Sequence, residues 1–141
     1  MTSRALSLLG LVGVVAGCES RTPQCNRLVD AINQEHAKMA PILVEAGGPE
    51  PTETSLESYA RANDDLAAKL RGLKLKDAKL VAYRDRYHEI VQGLAAATRK
   101  TAVRLDTPRE AQKAADEVKA FSPRKRALEQ DINAYCRGSK D

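Results

Sequence analysis

Apolar residues recur at intervals of three and four along most of this chain, and no strand-like alternation is read anywhere. That spacing marks helices packed by one face. Four such segments are predicted. The first runs from about Gln24 to Glu45, with Cys25, Val29, Ile32, His36, Met39 and Leu43 on its seam. The loop Gly47-Gly48-Pro49-Glu50-Pro51 stops it. The second begins near Thr54, where Thr54 and Glu57 have capping-box spacing, and its seam is Leu56, Tyr59, Asn63, Leu66, Leu70 and Leu73.

Asp77 is the expected N-cap of a third helix. Its seam is Leu80, Tyr83, Tyr87, Ile90 with Val91, Leu94, Thr98, Thr101 and Leu105. Before the fourth, Thr107 is read as the cap, Pro108 as the first helical residue and Glu110 as the box partner. The fourth seam is Ala111, Ala114, Val118, Phe121, Lys125, Leu128, Ile132 and Tyr135. Pro123 removes a backbone hydrogen bond within this run, and the seam keeps its phase across it, so one bent helix is expected. Short connections favour an antiparallel up-down-up-down four-helix bundle of the all-α class.

The N-terminal stretch breaks this pattern. Arg4 is followed by an apolar and small-residue run, Ala5 to Gly17, well short of the roughly 20 residues that span a bilayer. One positive charge, an apolar run and small residues before a cut describe a secretory signal. The run ends in Val15-Ala16-Gly17-Cys18, which resembles the lipobox of bacterial lipoproteins. The resemblance covers residues 1–18 alone. It implies lipid on the Cys18 thiol, cleavage before Cys18 and a body held at a membrane of the cell envelope. Glu19, where inner-membrane retention usually uses Asp, tilts the expectation toward the outer membrane. The chain then divides into a removed signal (1–17), a lipidated tether (18–23), a helical body (24–137) and a short tail (138–141).

Cysteine usage adds a constraint. With Cys18 assigned to lipid, Cys25 and Cys136 remain, one near each end of the body. In an oxidising compartment such a pair reads as a disulfide. Closing so long a loop is worth about 4–5 kcal/mol in the chain-entropy model. It would bring the ends of the first and fourth helices together. Isolated Cys residues without Cys-x-x-Cys spacing do not suggest a metal site.

The disulfide also allows a register estimate. Pairing Leu43 with Leu56, Leu70 with Leu80, Leu94 with Val118, and Cys25 with Cys136 places His36, Asn63, Tyr87 and Lys125 in one mid-bundle layer. Such a layer serves either to fix packing register, since buried polar groups must be paired, or to contact a small ligand. Small residues, Gly93 and Ala95 to Ala97 against Ala111, Ala114 and Ala115, should let the third and fourth helices approach closely. Arg27, Arg71, Lys74, Lys76, Lys79, Arg137 and Lys140 gather near the disulfide end, as a solvated surface or a face for anionic head groups.

Composition changes little. The net charge is +4 over 141 residues, with no like-charge block long enough for a nucleic-acid arm. There is no Trp, and Phe121 is the single Phe, so the core is aliphatic with four Tyr. The two His, His36 and His88, stand in no Glu-x-x-His pair, and no haem-attachment, phosphate-loop, HExxH or nucleophile-elbow motif occurs. A catalytic constellation, a metal and a cofactor are therefore not expected. The expected partners are the membrane, through Cys18, and an envelope protein. The expected state is a monomer. The reading is a non-enzymatic interaction or structural module, or alternatively a ligand-binding or sensing module using the polar layer.

Overall fold

A computed structural model describes residues 19–138. The signal segment, Cys18 and Lys140 lie outside the described residues. Four helices are present in order: α1 (Arg21–Ala46), α2 (Glu53–Gly72), α3 (Ala78–Ala102) and α4 (Pro108–Arg137). Among the described residues there is no strand. None of the helices is long and apolar enough to cross a membrane. Cys25 and Cys136 form the expected disulfide, with Cα atoms 5.6 Å apart.

Local chemistry sets the boundaries, not always through the expected residues. Helix α1 starts at Arg21, within the stretch read as tether, and tolerates Pro23 in its first turn, where a missing N–H costs little. Gly47 ends it, donating to the Leu43 carbonyl at 2.8 Å. A Cβ at Gly47 would stand 2.9 Å from that oxygen, so this close approach requires glycine. The capping box of α2 is formed by Thr52 and Ser55, each side chain accepting from the other's backbone N–H at 3.0 Å. The spacing Thr54–Glu57 was thus the wrong box by two residues, because Ser55 supplies the acceptor usually given by Glu or Gln. Glu57 instead faces Arg99 of α3.

Asp77 caps α3 as expected, accepting from the N–H groups of Lys79 and Leu80. At α4, Pro108 takes the first turn, but the Thr107 side chain makes no capping bond and Glu110 leans toward Arg104 at 3.9 Å. The box expected there is not formed. Helix α4 continues without interruption through Pro123, as α1 does through Pro41.

The main core is Leu28, Ile32, Met39, Leu66, Leu70, Leu80, Tyr83, Tyr87, Ile90, Val91, Leu128 and Ile132, around Cys25. The expected seams of α2, α3 and α4 are the buried or half-buried faces of those helices. On α1 the expected Cys25, Ile32 and Met39 are buried, the stripe widens to take in Gln24, Leu28, Ala31 and Glu35, and Leu43 alone of the expected seam is exposed. Leu28 is fully buried in the core, and Val29 packs against it from the edge. At the end away from the disulfide, Ala46, Leu56 and Ala102 form a small separate cluster. Close approach of α3 and α4 is visible at Gly93, where an added Cβ would fall 2.6 Å from the Phe121 ring.

Contacts across α2 and α3 join Arg71 to His88 and Arg99 to Asp64. The expected pairing, Leu70 with Leu80, is therefore displaced by roughly two to three turns. The reason lies in the connection. Leu73 and Asp77 are both extended, and the run Leu73-Lys74-Leu75-Lys76 alternates, with the Leu side chains packed on the core and the Lys side chains exposed. Five extended residues at about 3.3 Å each cover roughly 16 Å, the rise of about eleven helical residues. Helix α3 therefore begins well past the end of α2. Gln24, buried at the start of α1, anchors this connection: its carbonyl accepts from the N–H groups of Lys76 and Asp77 at 2.6 and 2.9 Å.

Candidate functional site

The site is built around Tyr87, fully buried on the inner face of α3. Its hydroxyl donates to Glu129 Oε1 of α4 at 2.5 Å and lies 3.0 Å from His36 Nε2 of α1. A phenol has one proton, and Glu129 receives it. The His36 contact is then a hydrogen bond only if Nε2–H donates to the Tyr87 oxygen, which fixes the neutral tautomer. Lys125, one turn before Glu129 on α4, brings its Nζ to 3.9 Å from the same Oε1. That oxygen also lies 3.7 Å from His36 Nε2.

Electrostatics follow from burial. Desolvation holds the His36 pKa below its ordinary value, and Lys125 adds to this while Glu129 opposes it. Desolvation likewise lowers Lys125, with Glu129 opposing. Tyr87 is pushed strongly upward by burial and by Glu129, so its hydroxyl stays a donor. Tyr59, on α2, is also raised by burial.

The structure thus brings His36 and Tyr87 together and sets Lys125 one turn away, joined to them through Glu129. Asn63 does not join them. Its amide donates to the Tyr59 carbonyl within α2, and its buried Oδ1 has no partner among the described residues. The register shift between α2 and α3 carried Asn63 away from the Tyr87 level. Glu129, the hub, was missed by sequence reasoning. The signal was present: with Lys125, Leu128 and Ile132 it completes an i, i+3, i+4, i+7 stripe, so a carboxylate on that stripe faces inward.

Space opens beside this cluster. A cavity of about 250 Å³ is bounded by His36, Met39, Ala40, Leu43, Tyr59 and Lys125. A second, of about 320 Å³, shares Leu43 and Tyr59 with it and extends to the end away from the disulfide, where all four helices contribute. Among the described residues no group of three or more His, Cys, Asp or Glu side chains is placed to hold a metal ion. Comparison with family models, curated proteins and solved structures finds no match.

Proposed function

We propose that this chain is a lipid-anchored protein of the bacterial cell envelope, whose body is an up-down-up-down four-helix bundle that presents one end to a protein partner. One observation carries the reading. The start of α1, the end of α4 and the disulfide lie at one pole, where Arg21 reaches Gly138, while exposed Leu43 (49%), Val44 (75%) and Val103 (75%) lie at the other. With lipid on Cys18, three residues before α1, the first pole faces the membrane. The apolar tip then stands about 35 Å away, the rise of α1 from Arg21 to Val44. Large exposed apolar side chains gathered at one place favour association. Glu19 favours the outer membrane, and the body acts by binding without catalysing a reaction.

Photo-crosslinkers at Val44 and Val103, with a control at Asp30, test this in cells. The expected outcome is one discrete envelope-protein adduct from the tip positions and none from Asp30, with release of the chain from membranes in Cys18→Ser. A membrane-bound chain that yields no tip-specific adduct would remove the partner reading. A Cys18→Ser chain that stays processed and membrane-bound would remove the anchor.

A second reading has its own support in the open space beside Lys125: a small ligand contacts the polar cluster. Native mass spectrometry of the purified chain should then show an added mass that His36→Ala abolishes.

A further inference from the structure

We propose that the two adjoining cavities, walled by α1, α2 and α4 at Lys125 and by all four helices toward the tip, bind an amphiphile with one aliphatic chain and a carboxylate head, the head at Lys125 and the chain running toward the apolar tip. This rests on the second reading above and names its ligand class.

The tail end is apolar in effect as well as in composition. Leu43, Leu56 and Val118 line it. Thr98 and Thr101 also reach it, but their hydroxyls are spent on the carbonyls of Leu94 and Ala97 in their own helix, at 2.8 and 3.2 Å. They offer methyl groups. A volume of about 320 Å³ lies at the lower edge of the roughly 300–1,000 Å³ usual for small-molecule sites, which suits one chain and not the two of a diacyl lipid.

The head end holds an under-paired cation. Lys125 is largely buried, yet its Glu129 contact, at 3.9 Å, is too long for a hydrogen bond. Glu129 Oε1 is already engaged by Tyr87. Lys125 therefore keeps ammonium donors for an incoming acceptor, and Tyr59 of α2 lines the same space. One cation with a carboxylate close by suits a single negative charge and disfavours a dianion such as an alkyl phosphate. Lys119, at the far rim, faces Asp116 at 3.6 Å and is too remote to serve the same head.

The chain lacks Trp, so Leu43→Trp, at the wall the two cavities share, gives a single fluorescent reporter. The chain purified from the envelope and held in phosphatidylcholine nanodiscs is titrated with brominated dodecanoate, brominated dodecanol and brominated dodecyl phosphate. Saturable quenching is expected, with the carboxylate about tenfold tighter than the alcohol, the equivalent of about 1.4 kcal/mol for a charge-assisted contact. Lys125→Gln should erase that preference while saturable quenching by the alcohol persists, which also shows that the variant is folded. Ala115→Phe should weaken all three probes. Absence of saturable quenching, equal binding of acid and alcohol, tighter binding of the phosphate, or a preference that survives Lys125→Gln would each overturn the proposal. If these tests fail while native mass spectrometry still finds a His36-dependent mass, the ligand class is wrong and the ligand site itself stands.

Discussion

At the scale of single residues, the polar cluster and the orphaned amide behave differently when altered. Tyr87 serves two partners with one hydroxyl, and Tyr87→Phe leaves the inner Glu129 oxygen without its donor. A loss of about 1–3 kcal/mol is expected in urea denaturation. His36 adds a pH dependence whose sign is set by burial. Its folded pKa lies below the ordinary 6.5, held down by desolvation and Lys125 against Glu129, so the unfolded chain takes up a proton first. The His36 contribution is complete above pH 6.5 and declines as pH falls below it. Glu35 and Asp77, held low by Lys38 and by the Leu80 N–H respectively, lose their contributions only further down, below 4.5 and 3.8. His36→Gln should flatten the stability profile just below pH 6.5 and leave the acid limb in place. Asn63 presents the opposite case. Its Oδ1 is buried without a partner, so Asn63→Leu should be neutral or stabilise by up to about 1 kcal/mol. A loss of several kcal/mol by calorimetry would mean that this oxygen has a partner after all.

At the scale of elements, the decisive piece is the connection between α2 and α3. Gln24→Ala removes the acceptor for two backbone N–H groups and should cost about 1–3 kcal/mol. Amide exchange should quicken at Lys76 and Asp77 before it does in the helices. This connection also marks the limit of what the sequence discloses. Periodicity located four helices and their inward faces, Leu43 on α1 excepted, because a stripe of apolar residues is a local property that packing cannot evade. Register is not local. It depended on whether Leu73 to Asp77 formed a tight turn or an extended strap, and the alternation of Leu and Lys there was the available sign. Two further readings failed for related reasons. Leu43 anchored the α1–α2 pairing only while it was taken as buried, and it is exposed. Thr54–Glu57 fitted the usual capping pattern, whereas Thr52–Ser55 makes the same pair of bonds with a hydroxyl. Of the candidate layer, His36, Tyr87 and Lys125 tolerated one-turn errors, and Asn63 did not survive a larger one.

At the scale of the whole molecule, the Cys25–Cys136 bond joins α1 and α4, the helices that supply His36 and Lys125 to the cavity wall. Replacing both cysteines by Ser should cost about 2–5 kcal/mol, read as a lower urea midpoint. The loss should be largest in the stability of α1 and α4. The same bond has a mechanical consequence. Tension applied to the two ends of the chain passes from Arg21 through Cys25 directly to Cys136 and out at Gly138, so only the first turn of α1 and the last residues of α4 carry load. In an optical trap the oxidised molecule should show no unfolding step at forces that unravel ordinary helical domains. Reduction transfers the load to the body, and the 111-residue separation should then be released as roughly 370–400 Å of new length. A thiol reagent would thus turn a short, inextensible link into a long and compliant one.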